Sequence, residues 1–246
     1  MSSPKIILLD IETSPNVIYA WGKYEQNAID QLKGWELLSF AWKELGKGKT
    51  ECMARPDFKD TTDEKLTREI WKIVDSADVV ITQNGDRFDL PKLRAKFVAY
   101  KLPPPTPSKQ IDVKKIAKAY FGFFSNSLND IARDLGLGAK LDTGGWELWK
   151  KCIAGDPVAW DKMRRYNKHD VVLLEKVYLR LKAWYPNHPN FALFSGEGDN
   201  PECPVCESLR VQRRGYNVMK VRRSARYQCQ KCGHWFSIAL SKAEKK

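Results

Sequence analysis

Asp10 and Glu12 close the apolar run of IILLDIET two residues apart, and on a β-strand that spacing turns both carboxylates to one face. Two acids ending a buried run face a desolvation cost that a cation or a hydrogen-bond donor must meet. Asp89 follows the strand-and-turn pattern ITQNGD at the start of a helical pattern; taken singly, an N-cap is its ordinary use, and Asp86 is ordinarily a turn residue. In RRYNKHDVVLLEKV, Tyr166 and Asp170 lie four residues apart. On a helix they sit one above the other, whereas His169 diverges from Asp170 by about 100°. Asp170 is flanked by the apolar Val171 and Val172 and is ill-suited to open solvent, with an ion pair to Arg164 or Arg165 as the structural alternative.

A second chemistry is written in the cysteines. Four of the six form CPVC and CQKC, placing Cys203, Cys206, Cys229 and Cys232 in the arrangement of a zinc ribbon. Each Cys-x-x-Cys turn presents two thiolates, and one Zn²⁺ takes four in a tetrahedron with no position left for a catalytic water. Two disulfides would suit an oxidising compartment rather than the one expected below, and two such pairs argue against a redox site. His234, beside a complete set of thiols, is not expected to be a ligand. Between the knuckles, RVQRRGYNVMKVRRSARYQ alternates basic with apolar or aromatic residues as a short hairpin does, offering Arg213, Arg214, Lys220, Arg222, Arg223 and Arg226 to phosphates.

The charge of the 246-residue chain agrees with that partition. Its net charge is +12, yet 11 of the 42 Lys+Arg and only 3 of the 30 Asp+Glu lie from residue 201 onward. The basic surplus therefore concentrates in the C-terminal fifth, as in a module held to nucleic acid by counterion release; a solubilising tail is the bland alternative. Hydrophobic content of 43% suits a soluble globular protein with one sizeable core and a small satellite. The N-terminal apolar run, residues 6–9, is too short for a signal-peptide core or a membrane span. A cytoplasmic protein without membrane association is expected, in the host cytoplasm if it comes from a virus or mobile element, and a monomer.

The elements that must position these groups follow from periodicity. Residues 5–9 predict a buried strand, and NVIYAWG and WELLSFAWKELG two more, in a meander after the first. TDEKLTREIWKIVDS predicts a helix with a Thr or Asp cap and ADVVITQNG a strand entering a turn. DLPKLRAKFVAYKL, DVKKIAKAYF and SLNDIARDLGL predict helices, with PPPTP as a rigid connector, and 146–180 is mostly helical with a break near AGDP. Asp112, at a strand-to-helix junction, reads as a cap. The result is an α/β domain with a mixed sheet built in its first half. The Pro-, Gly- and Asn-rich stretch after Tyr185 suits a linker. The expected partition is a main domain over 1–190, a linker over 191–200 and a small ribbon domain over 201–240.

Acid-x-acid on a first strand, NGDRFD in the middle and Tyr-x-x-x-Asp on a late helix are far rarer together than apart. In that order they resemble the DEDD exonucleases, tyrosine branch, of the RNase H-like superfamily, and NGDRFD is similar to the proofreading domain of family B DNA polymerases. The resemblance spans roughly residues 5–182, and SLNDIARDLGL is similar to the helix between that family's second and third motifs. It implies an RNase H-like mixed sheet flanked by helices. It also implies that Asp10, Glu12, Asp89 and Asp170 bind metal and that Tyr166 orients the attacking water. In the family's histidine branch the histidine lies about one turn before the last aspartate, a position that His169 does not match.

Two Mg²⁺ or Mn²⁺ ions held by carboxylates suit in-line phosphodiester hydrolysis, because hard oxygen ligands fit these ions and a metal pair serves both the entering and leaving oxygens. With a reference pKa of about 10, Tyr166 is a poor base and an adequate positioner. By the same resemblance Glu12 and the backbone near Thr13 contact the terminal 3′-hydroxyl. That makes the expected activity 3′-to-5′ hydrolysis of DNA, as single strands or 3′ ends, to 5′-mononucleotides, with a polymerase or replication/repair partner in trans as a possible associate. Phe88, Tyr120, Phe121, Phe123 and Phe124 could stack bases or pack a core, and Lys140 could touch phosphate or be solvated. RNA as substrate, an endonuclease on the same fold, and a catalytically silent nucleic-acid adaptor remain open alternatives.

Overall fold

The computed structural model describes residues 4–22, 24, 27–195 and 201–240. They fall into two compact units. One comprises Lys5–Lys115 and Phe123–Val177, and the other is built on Ile116–Gly122 and the chain from Tyr178 onward.

The larger unit is organised by its first strand. β1 (Ile6–Thr13) alternates as its sequence requires: Ile7, Leu9 and Ile11 enter one apolar cluster, which leaves Leu8, Asp10 and Glu12 on the other face. β1 pairs antiparallel with β4 (Leu37–Glu44), setting Asp10 opposite Ala41 and Glu12 opposite Ser39. On its other side it pairs in parallel with β6 (Val79–Thr82), but only from Ile6 to Leu8. β5 (Thr50–Ala54) and β7 (Lys109–Asp112) complete a mixed five-stranded sheet in the order β5-β4-β1-β6-β7. Because β1 outruns β6, its acidic end lies beyond the last parallel rung, where crevices open in such sheets.

Helices cover both faces. α1 (Glu64–Asp75) and α2 (Asp89–Ala99) bury Leu66, Ile70, Val74, Leu93 and Phe97 against Ile7, Leu9 and Ile11. α3 (Val113–Tyr120) and α4 (Leu128–Asp134) follow β7. α5 (Trp146–Ile153) and α6 (Pro157–Leu181) bury Leu148, Trp160, Met163 and Tyr166 with Leu38 and Ala54. No helix among the described residues is long and apolar enough to cross a membrane.

NVIYAWG does not extend the main sheet. Only β2 (Val17–Tyr19) forms, pairing with β3 (Asp30–Lys33) in a separate two-stranded ribbon in which every strand residue is exposed. Val17, Ile18 and Tyr19 were expected in a meander because their types favour strands, and type alone does not decide which partner a strand meets.

The smaller unit contains α7 (Ala192–Ser195) and a three-stranded sheet of β8 (Val211–Val218), β9 (Arg223–Cys229) and β10 (Trp235–Ala239) in the order β10-β9-β8. Within it Tyr178 donates its hydroxyl to His188 Nε2 at 2.7 Å, and His188 meets Phe191 edge-on, centroid to centroid 4.7 Å. Tyr120 packs on Tyr185 and Phe121 on Trp184. Of the expected linker, residues 196–200 lie outside the described residues.

Candidate active site and cysteine cluster

Asp10, Glu12 and Asp170 converge, each offering a carboxylate oxygen within 4.8 Å of the others'. β1 supplies the first two by alternation, and α6 supplies Asp170 from the helix face that also carries Tyr166. Asp89, expected to join them, is not in that mutually close set, although its charge acts on Asp10 and Glu12. Its carboxylate does not merely cap α2, whose N-cap residue is Phe88; Oδ1 accepts the Ile11 backbone N–H at 3.2 Å, in the stretch of β1 that β6 leaves unpaired. The turn before it is fixed by close approach. Asn84 sits at a φ of +68°, and a Cβ on Gly85 would lie 2.1 Å from Thr82 Oγ1, so only glycine fits. Asp112 holds that turn, accepting from Asn84 N at 2.9 Å and from Lys114 N, across the start of α3, at 3.0 Å.

Crowding like charges in a dry site raises their pKa values. Burial, then the charges of Glu12, Asp89 and Asp170, push Asp10 well above the carboxylate range. Burial, then Asp170, carry Glu12 up to about 8, and burial carries Asp89 to about 7 against the pull of the Ile11 N–H. Asp170 is also raised by burial, against the opposing effects of Lys140 and Tyr166.

Lys140 is the lysine that bonds Asp170. Its Nζ lies 2.6 Å from Asp170 Oδ2 and 3.1 Å from the Tyr166 hydroxyl. Burial alone would lower its pKa, but Asp170, Tyr166 and Asp10 together hold it above the ordinary value. The alternative partners of Asp170 are engaged elsewhere: Arg164 with Asp57 at 2.5 Å and Arg165 Nε with the Asp161 carbonyl. His169 turns from the cluster, its Nε2 2.8 Å from the Ala139 carbonyl. Tyr166 packs edge-on to Trp149, and burial raises its pKa, so the phenol keeps its proton.

One ammonium cannot serve this many acids. Asp170 Oδ1 is buried with no hydrogen-bond partner, beside Asp10 and Glu12, and such an atom is costly unless something fills the gap. Three converging carboxylates, one of which keeps a buried oxygen without a partner, fit a hard divalent cation. Lys140, read as a phosphate contact or a solvated lysine, is thus partnered to the cluster itself.

The matching family model is that of the RNase_H superfamily, over residues 7–182. The chain belongs to the RNase H superfamily. Among solved structures, its fold is similar to the family B DNA polymerase from the hyperthermophilic archaeon Pyrobaculum calidifontis, with a TM-score of 0.53 at 18% identity. That similarity covers 79% of this chain and 26% of the polymerase, so the chain spans about a quarter of that protein's length. No curated protein matches its sequence. Membership of the RNase H superfamily supports nuclease activity and nucleic-acid binding in general, and the acid cluster supports metal binding.

At the rim of this RNase H-like site, Lys92 Nζ donates to Thr13 Oγ1 at 2.9 Å and lies over the rings of Trp35 and Phe88, 4.4 and 4.7 Å from their centroids. Thr13 and Phe88 therefore adjoin one cation, and Phe88 is exposed. Phe124 is fully exposed.

The four thiols meet in the smaller unit. All four Sγ atoms lie within 4.8 Å of one another, with Cys203–Cys232 and Cys206–Cys229 each at 3.6 Å. A tetrahedron with Zn–S bonds of about 2.3 Å has sulfur–sulfur edges of about 3.8 Å, so the cluster fits a zinc ribbon. Despite some burial, backbone N–H groups of Cys232 and Lys231 lower the Cys229 thiol to about 7, whereas burial pushes Cys203 up. His234 is committed to the Ala183 carbonyl at 2.8 Å. Arg213, Arg214, Lys220, Arg222, Arg223 and Arg226 are all exposed. Arg213 and Arg223 lie over the Tyr216 ring and Arg226 over that of Trp235, which sets flat cations beside flat rings.

Proposed function

We propose that the chain is a divalent-metal-dependent 3′-to-5′ exonuclease that shortens DNA to 5′-mononucleotides, with residues 1–190 as the nuclease domain and 201–240 as a zinc-stabilised nucleic-acid-binding ribbon. The observation that carries the reading is the convergence of the carboxylates of Asp10, Glu12 and Asp170, the last with a buried oxygen left unpartnered and with Lys140 linking it to the Tyr166 hydroxyl.

Asp10, Glu12, Asp89 and Asp170 would hold two Mg²⁺ or Mn²⁺ ions, which supply an acidified water and relief of charge on the departing oxygen. The chain's own residues do the rest. Tyr166, protonated at working pH, orients the attacking water by hydrogen bond. Lys140, within reach of both Tyr166 and Asp170, offers its ammonium to the scissile phosphate once substrate arrives. Thr13 and Phe88, with Lys92 beside them, line the approach of the terminal nucleotide. The exposed arginines of the ribbon, with Lys220, hold the strand through its phosphates.

The test uses 5′-labelled DNA and RNA strands with Mg²⁺, with and without a blocked 3′ terminus. Progressive shortening of DNA that the block abolishes is the expected result. Faster shortening of RNA moves the substrate class, cuts in circular DNA make the protein an endonuclease, and no cleavage with either metal makes it a binding protein.

A further inference from the structure

Asn167 is a fully buried amide in the middle of α6, on a stripe whose other members, such as Met163, Val171 and Leu174, are buried hydrophobics. A polar group in such a place must be paired, and its partners are specific. Nδ2 donates to Asp10 Oδ2 at 2.6 Å and lies 3.4 Å from the Asp10 carbonyl. Oδ1 accepts from the buried Ser39 hydroxyl at 3.0 Å, with the Cys52 thiol at the outer limit of contact, 4.0 Å. The orientation of the amide suits the metal-binding, ionised form of Asp10: such a carboxylate only accepts, so the NH₂ faces Asp10, and the Ser39 hydroxyl donates to the oxygen left over. Ser39 is in turn fixed by register, paired with Glu12 across β1 and β4.

We infer that Asn167 is a positioning residue for the metal site, with Ser39 behind it. The geometry occupies one oxygen of Asp10 with a neutral donor and thereby sets the plane of the carboxylate, leaving the rest of its lone pairs to the cluster with Glu12 and Asp170. Asn167 touches neither substrate nor reacting atoms; it acts through Asp10. A neutral amide suits the task better than a cation, because it orients the carboxylate without cancelling the charge that binds metal. Outer partners of this kind are worth about 10–100-fold in metal affinity or activity.

The inference rests on Asp10 being a metal ligand, and the test separates the two. Mn²⁺ is titrated calorimetrically into the full chain, the Asp10→Ala variant, Asn167→Leu and Ser39→Ala, with thermal unfolding in EDTA measured alongside. If the unaltered chain binds no Mn²⁺, or Asp10→Ala binds it equally well, the reading of the site itself fails. If Asp10 is required, Asn167→Leu, which keeps the volume and removes the donor, is expected to bind about tenfold more weakly, and Ser39→Ala about threefold. The Ser39 effect is expected to vanish in the Asn167→Leu background, since a relay has nothing left to orient. A purely structural role lowers the unfolding temperature and leaves Mn²⁺ affinity intact, and that outcome overturns the inference. Should Asn167→Leu fail to fold, Ser39→Ala decides alone: affinity equal to that of the unaltered chain overturns the relay.

Discussion

The carboxylate cluster and the cysteine cluster both gather metal-binding groups at a point, but the fold stands in opposite relations to them. The acids are mounted on a completed scaffold. β1 is paired on both sides and contributes three of the twelve buried residues of one apolar cluster, and α6 is a 25-residue helix. Lys140 and Asn167 already occupy part of the acids' hydrogen-bonding capacity. In the ribbon the buried cluster is Cys203, Cys229 and Val205, with Cys206, Cys232, Val211 and Phe236 packed against it. There the ligands are themselves most of the core. One site is positioned by a fold; the other has to make one.

That contrast breaks most visibly when ligands or ions are removed. Asp10→Ala and Asp170→Ala should each reduce DNA hydrolysis to background while the larger unit still unfolds cooperatively, measured by labelled-strand assay and calorimetry. Residual turnover near that of the unaltered chain would dismantle the assignment. Zinc chelation should do the reverse to the ribbon. Four of the six thiols should become reactive together and residues 201–240 susceptible to protease, while Cys52 and the buried Cys152 stay protected until the sheet unfolds. Simultaneous exposure of all six would mean that the two regions share one cooperative unit.

Tyr166 sharpens the comparison from within the acid site. Tyr166→Phe keeps the ring against Trp149 and removes only the hydroxyl, so Mn²⁺ affinity should be unchanged and the single-turnover rate should fall by about a hundredfold. Loss of metal affinity with the rate would make the phenol a ligand-ordering group.

How far this was legible in the sequence depends on whether the period of one element carried the information. Asp10 with Glu12 could be read from i, i+2 on a strand and Tyr166 with Asp170 from i, i+4 on a helix, because each pair is one element's own geometry. Helices with strong amphipathic patterns, such as those around Leu66, Ile70 and Val74, were equally plain. The strands at Asp30–Lys33 and Thr50–Ala54 were not, since DQLK and TECMA carry no apolar alternation and pair as edge segments. The contact of Lys140 with Asp170 joins a loop to a helix 30 positions on, and nothing local announces it. Asn167 did leave a signal: an amide on the apolar stripe of α6 has to bond something.

The acids' raised pKa values give a smaller effect whose sign separates the two regions. Glu12 at about 8 and Asp89 at about 7 stand above their unfolded values of roughly 4. Between those limits the folded state binds more protons than the unfolded one, so without metal the stability of the larger unit should fall as pH rises from about 4 to 8. Saturating Mg²⁺ replaces the protons and should flatten that decline, raising the unfolding temperature more at pH 8 than at pH 6. The cysteine site offers no such titration of the larger unit, because its thiols lie in the other one. Calorimetric scans at the two pH values, with EDTA and with Mg²⁺, read the difference directly. An unfolding temperature that rises from pH 6 to 8 in EDTA would mean that Lys140 and Asn167 already compensate the buried acids and that the cluster does not depend on a divalent ion for its charge balance.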